Sequence, residues 1–321
     1  MLCYLIRRLL WAVMLFLVIT VVTYVIFFII PVNPAKLTCG QRATATCIQN
    51  ARHTLGLDRS VPVQYWLFLK KMIFHADLGR SFVTRLPVRQ TVLTAAPVTA
   101  SLVFGGAILW MLIALPIGIL SALRPRSLLD RASMVAVLIG ISAHPVWIGL
   151  ILLYVFGFVL KWFPLGQYCD FFNPSTACGG PVQWFWHMCL PWVTFSILFA
   201  ALYVRMIRAN VMEASNEDYV RTARAKGAPE WVVIRTHILR NALLPVVMML
   251  GMDIGAALGG AIFTETIFNL PGLGNTALLS INQFDLPVVQ GIVVFGTLSI
   301  IVLNLLVDLM YAVIDPRIRL S

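Results

Sequence analysis

The chain has 321 residues, 60% of them hydrophobic and only 12% charged, with a mean hydropathy of +0.88. Water-soluble domains carry roughly 45–50% apolar and 25% charged residues, so a soluble enzyme, a disordered chain and a nucleic-acid module are poor fits. The net charge of +11 is then read as an excess of Lys and Arg on the cytoplasmic side of a membrane protein.

A helix needs about 20 mostly apolar residues to cross a bilayer core of roughly 30 Å. The first uncharged stretch, Leu9–Ile30, is long enough. Arg7 and Arg8 before it imitate a signal peptide, but no small-x-small cleavage site follows, so a retained first helix is expected. Residues 31–95 form a long outer stretch. Within it Val63–Ile73 (VQYWLFLKKMI) mixes aromatics with Lys70 and Lys71. It is too short to span, and fits equally an amphipathic helix at the outer interface or a helix of a small extracytoplasmic cap.

Four more stretches follow in order: Val98–Leu123, Ala132–Leu160, Val182–Val204 and Ala242–Thr264, the last interrupted only by Asp253. Leu286–Val307 is the sixth. Six spans place both termini on one side. With that side cytoplasmic, 14 of the 24 Lys and Arg residues lie inside. Among the short loops only Lys161 lies outside, which orients the chain. The expected fold is an all-α integral membrane protein. Residues 1–95 are its first span and extracytoplasmic region, and 96–321 a five-helix core carrying a cytoplasmic loop at 205–241.

Four cysteines fall in two outer loops, where an oxidising face favours disulfides. Local pairs Cys39–Cys47 and Cys169–Cys178 are the favoured reading, although four cysteines allow three connectivities. No metal site is expected, because close C-x-x-C or His spacing is absent.

The informative loop is Glu213–Pro245. Asn216 or Glu217 can cap a short helix from Asp218 to Lys226. Gly227 is placed to take a left-handed conformation after it, and Pro229 to start a second helix beside Glu230. The expected result is a bent basic knob that offers Ala223 and Ala225 beside Arg221, Arg224 and Lys226. Charge alone would fit a plain solvated loop, but the order of residues argues for more.

DYVRTARAKG followed by HILRNALLP resembles the cytoplasmic loop of ABC-importer permeases, in the form used by the dipeptide/oligopeptide/nickel permease family. The general pattern of such permeases opens Glu-Ala-Ala. Here Arg221, Thr222 and Ala223 stand in those places, as in the peptide-type subfamily. Leu55–Phe82, Gly259–Gly274 (GGAIFTETIFNLPGLG) and Asp308–Arg319 resemble the same family in the same order. The resemblance implies a type I importer permease fold in the inner membrane of a prokaryote, with short peptides as cargo, or nickel or another small solute. It implies a second homologous permease subunit, two cytosolic ATP-binding subunits that hold ATP and Mg, and an extracytoplasmic substrate-binding protein. The coupling set it implies is Asp218, Tyr219, Arg221, Thr222, Ala223, Arg224, Ala225, Lys226, Gly227, Pro229 and Trp231. The chain has no G-x-x-x-x-G-K-[ST] loop, so no bound cofactor and no enzyme activity of its own are expected.

Intramembrane acids are functional candidates. Asp253, the deepest, is read as lining a polar cavity. His144, before Pro145, is read foremost as a packed polar residue at a kink, with substrate contact second. Gly255 and Gly259 permit close helix packing or line a path. A proton-driven secondary transporter would use Asp253, Glu265 or Asp308, but internal repeats are missing. A membrane enzyme lacks H-E-x-x-H and G-x-S-x-G.

Overall fold

The computed structural model describes residues 2–26, 44–46, 48, 49, 60–172 and 178–314. Among these residues the regular elements are helices, with one isolated bridge between Arg80 and Pro87. In chain order, α1 is Leu2–Tyr24, α2 Val61–His75, α3 Val88–Leu123 and α4 Leu128–Ser142. Next come α5, Pro145–Val159, whose second half is a π-helix, and α6, Pro181–Ser215. The basic loop after α6 holds α7, Asp218–Ala225, and α8, Glu230–Ala242, the latter with a π-helix at Val233–Leu239. The chain continues with α9, Leu244–Ala257, α10, Ile262–Ile267, α11, Leu273–Asn282, and α12, Leu286–Ile314. Among the described residues four helices, within α1, α3, α6 and α12, are long and apolar enough to cross a membrane. The count rises to six if the bent pairs α4+α5 and α8+α9 are each one span.

Two expected spans depart from single helices. The stretch Ala132–Leu160 turns by 101° between α4 and α5. Pro145 has no N–H to continue α4, and its ring drives His144 out of the helical region. His144 sits extended at φ −68°, ψ 133°, and its Nδ1 accepts the Val146 N–H at 3.3 Å. It is exposed, so it caps a helix at a sharp break and is not a packed kink residue. The stretch Ala242–Thr264 bends by 43° before α9, and its helix stops at Ala257, ahead of Gly260 at φ 131°.

The chain forms two compact units. One comprises residues 1–99, 258–262 and 271–302. Its core joins Val88, Val92 and Ala95 of α3 to Leu273 and Ala277 of α11 and Val288 and Ile292 of α12. Buried Asp285 fixes the turn into α12, accepting the Ser81 hydroxyl and the Phe82 N–H, the latter at 2.9 Å. Thr99 Oγ1 accepts the Leu273 N–H at 2.8 Å. A Cβ on Gly274 would lie 2.7 Å from Ile262 N and 2.8 Å from its Cα. Backbone cannot give way as a side chain can, so Gly274→Ala overpacks this unit. The expected result is a several-fold drop in monodisperse protein after detergent extraction. An unchanged yield would refute this account of Gly274.

The other unit comprises residues 100–257, 263–270 and 303–321. Along α6, Ala200, Tyr203, Val204, Ile207, Val211 and Ala214 are buried at steps of three or four residues, which is one helix face. Trp192 of the same helix donates its indole N–H to Ser101 O at 2.9 Å. Only Gly105 leaves room for that ring, since a Cβ there would lie 2.2 Å from it.

Candidate coupling site

The α7–α8 loop is rooted in the unit's core. Val220 and Ala223 of α7 and Val233 and Ile238 of α8 belong to one buried cluster with Trp110 and Ala114 of α3, Val137 of α4 and the α6 stripe. Trp110 stacks on Phe199 with ring centroids 4.6 Å apart. A displacement of α7 therefore meets close-packed side chains leading into the apolar helices, and such packing transmits strain.

Local chemistry builds the knob. Glu217 occupies the N-cap of α7 in extended conformation, without a side-chain capping bond. The helix ends at Ala225, one residue short of the expected Lys226, and Gly227 takes φ 77°. That left-handed turn costs glycine nothing sterically. It brings the Ala228 N–H to Ala223 O at 3.3 Å and swings the chain into Pro229, the N-cap of α8. Arg224 then reaches across the bend to Glu230 with two bonds, Nη2 to Oε1 at 2.7 Å and Nε to Oε2 at 3.2 Å. These bonds hold the Glu230 carboxyl below its ordinary range. Asn241 donates to the Tyr219 hydroxyl at 3.0 Å, tying α7 to the end of α8.

The two faces of α7 separate cleanly. Val220 and Ala223 point into the core, while Arg221, Thr222, Arg224, Ala225 and Lys226 are exposed. The expectation that Ala223 is offered to a partner is thereby corrected. It is 9% exposed, and only Ala225 of the two small residues is open. Asp218 pairs loosely with Arg221 at 3.7 Å. Thr222 bonds back to Asp218 O at 2.9 Å. Trp231, at the start of α8, is 68% exposed. An exposed Trp in the same short loop as three exposed basic residues is a composition enriched at protein-docking hot spots.

A second feature was not singled out in the sequence. Asp130, in the first turn of α4, accepts from Arg208 of α6 through Nε at 2.6 Å and Nη2 at 3.0 Å. It also accepts from the Ser121 hydroxyl and from the Arg126 N–H at 2.8 Å. The legible signal is Ser127-x-x-Asp130, a capping pattern: Ser127 Oγ accepts the Asp130 N–H at 3.2 Å. This bracket clamps the α3–α4 turn to the helix that leads into the knob.

The path candidates are held separately. Tyr203 donates its hydroxyl to Asp253 Oδ2 at 2.6 Å, so Asp253 is tied to α6. The His144 ring meets Phe263 edge-on with centroids 5.3 Å apart. Gly255 is buried in α9. Gly259, in the first unit, lies with its Cα 2.8 Å from where a Gly296 Cβ would stand. Tyr203→Phe leaves Asp253 without this donor and is expected to cost about 1–3 kcal/mol. Tyr203→Phe with Asp253→Leu removes both polar partners and should recover part of that loss, read as thermal unfolding in detergent. Equal unfolding temperatures for wild type and Tyr203→Phe would remove the pin from the stability account.

In the loop between α5 and α6, Cys169 and Cys178 are joined as a disulfide, with Cα atoms 5.3 Å apart. The fold supplies a neighbouring histidine that local spacing did not. His187 of α6 places Nδ1 3.2 Å from Cys169 Sγ and 2.8 Å from Gln183 O. Thiols joined to one another offer no thiolate to a metal. Cys189 is free, and Cys39 and Cys47 lie outside the described residues.

Residues 114–320 match the family model described as binding-protein-dependent transport system inner membrane component, and residues 1–103 match its N-terminal companion. The chain belongs to this family. Among curated relatives, it is 36% identical over 316 residues to the probable D,D-dipeptide transport system permease protein DdpB of Escherichia coli, covering 93% of this chain and 92% of that one. It is 37% identical over 328 residues to the glutathione transport system permease protein GsiC of Pectobacterium atrosepticum, covering 99% of each. It is 36% identical over 334 residues to the dipeptide transport system permease protein DppB of Alkalihalophilus pseudofirmus, covering 99% of this chain and all of that one. The permease is thus a multi-pass inner-membrane component of an ABC transport system that works with a substrate-binding protein and an ATPase. It is not itself the enzyme.

Proposed function

We propose that the permease is one of two homologous membrane subunits of a type I importer for short peptides, with six spans and both termini cytoplasmic. Two ATP-binding subunits, which carry ATP and Mg, seat on the α7–α8 knob, and an extracytoplasmic binding protein delivers the peptide. The observation that carries this reading is the exposed Arg221, Arg224, Lys226 and Trp231 surface mounted on the core that runs through α3 and α6. ATP binding must favour one access state by a differential free energy, and a knob rooted in packed helices is a physical route for it. The named cargoes of the relatives, dipeptides and glutathione, support peptides as the substrate class. Asp253, bonded to Tyr203, serves here as a helix pin and not as a proton carrier.

The test is reconstitution with and without the co-purified ATPases, measuring uptake of a labelled dipeptide. Uptake that needs ATP, ATPase and binding protein supports the proposal. Uptake by the permease alone would overturn it.

A further inference from the structure

The aromatic and lysine stretch in the long outer segment is not used by the coupling machinery. It folds as α2, and one side of that helix is committed to protein. Leu69 and Met72 are buried in a cluster with Val294 of α12, against which Phe16 of α1, Tyr65, Phe68 and Leu78 pack. The contacts with α1 run from Phe16 to Tyr24. Thr20 Oγ1 lies 2.9 Å from the Tyr65 hydroxyl, and the Tyr24 hydroxyl donates to Gln64 Oε1 at 3.2 Å. Tyr24 also meets the rings of Tyr65 and Phe68, both with centroids 5.6 Å away. A helix that sets tyrosine and tryptophan rings beside lysines has the composition of the zone where hydrocarbon gives way to headgroups.

Among the described residues, nothing covers the other side. Val63, Trp66, Lys70, Ile73 and Phe74 follow one another at helical spacing and are all exposed, Trp66 by 62% and Phe74 by 75%. Large apolar rings in open water would be costly, whereas an interfacial helix places them among acyl chains and lets lysines snorkel to the phosphates. The charge around it has one sign. Lys70, Lys71, Arg80 and Arg89 are exposed on α2, the following loop and the first turn of α3, against Asp77 alone among the acids of that stretch.

We propose that α2 is an anionic-phospholipid binding surface, with Trp66, Ile73 and Phe74 wedged into the outer leaflet and Lys70 and Lys71 holding headgroup phosphates. The proposal rests on the topology reading above only for which leaflet is meant. Through Tyr24, Tyr65 and Val294 of α12, this surface fixes the depth of its own unit in the membrane.

The test places p-acetylphenylalanine, carrying an oxime-linked nitroxide, at Trp66, Ile73 or Phe74, with Met72 as the buried control. The native cysteines stay untouched. The full-length permease is reconstituted in phosphatidylcholine vesicles with or without phosphatidylglycerol. Oxygen is expected to reach the three exposed labels better than a nickel chelate does. Spin-labelled phosphatidylglycerol should be retained in preference to phosphatidylcholine, and Lys70→Gln and Lys71→Gln should each weaken that preference by about fivefold. Dominant nickel access would put α2 in water, and shielding from both reagents would put a protein on it. Either outcome overturns the proposal, as does a lipid preference that survives both substitutions. Nickel chelate confined to one side of the vesicle reads the leaflet separately, so an error in topology would appear there without touching the lipid contacts.

Discussion

Reversing the charge at Arg221 and Arg224 together is expected to reduce peptide uptake on the order of 100-fold while leaving the permease in the membrane. Both side chains stand on the exposed face of α7, at 70% and 43% side-chain exposure, and neither is part of the buried cluster formed by Val220 and Ala223. Their loss does not empty a core. What changes is the sign of the surface proposed to dock the ATPase, and interface arginines are among the residues whose removal costs at least about 2 kcal/mol apiece. Glu230→Gln supplies the control. It breaks the staple to Arg224 but keeps the surface basic, so uptake should stay within a few-fold of wild type. If Glu230→Gln proves as damaging as the double reversal, the shape of the knob matters and its charge does not. Uptake and ATPase activity measured on the same proteoliposomes distinguish weak docking from uncoupled docking. A reversed permease that still imports at the normal rate would unseat the coupling assignment.

The second large effect is expected at Asp130. Asp130→Ala orphans four donors at once: Arg208 Nε and Nη2, the Arg126 N–H and the Ser121 hydroxyl. Arg208→Ala is milder, because the carboxylate keeps its bonds to Arg126 and Ser121. Breaking one member of a buried pair is far more damaging than leaving both out, since the survivor stays desolvated and unpaired. Arg208 retains partial access to water at 25% side-chain exposure, which softens the loss without cancelling it. The expected order of membrane abundance and of unfolding temperature is wild type, then Arg208→Ala, then Asp130→Ala, with the last several-fold below wild type in abundance. Asp130→Asn, which keeps the shape and one acceptor oxygen, should fall between the two. An Asp130→Ala permease with wild-type unfolding would mean that the clamp between the α3–α4 turn and α6 bears no load.

How far the site was legible follows from the range of the forces involved. The bend at Gly227 could be read because backbone sterics act over a few neighbouring residues, and it appears at φ 77°. The break at His144–Pro145 was legible as an event but not as a direction. Proline dictates that the helix stops, whereas the 101° turn depends on what the two halves pack against. The facing of Ala223 was misread for a related reason. Its smallness is local information, but its burial is decided by Val233 and Ile238, which arrive from α8. The α3–α6 seam gave a weak signal, because an apolar stretch in a membrane protein is apolar on every side and hides which face meets protein.

By itself, the sequence determined that this chain lives in a bilayer and where along it the basic surplus gathers. Those properties are sums over composition or short-range preferences, and they need no knowledge of distant residues. Only the tertiary structure decided that Asp253 is pinned by Tyr203, that Asp130 gathers donors from α3, the following turn and α6, and that Arg224 staples the knob through Glu230. The first two join residues 50 and 78 positions apart. Even the staple, which spans only six positions, needs the turn at Gly227 to close. Hydrogen bonds and ion pairs are short-ranged in space and indifferent to distance along the chain. Which polar groups meet is therefore settled when the apolar helices choose their packing faces.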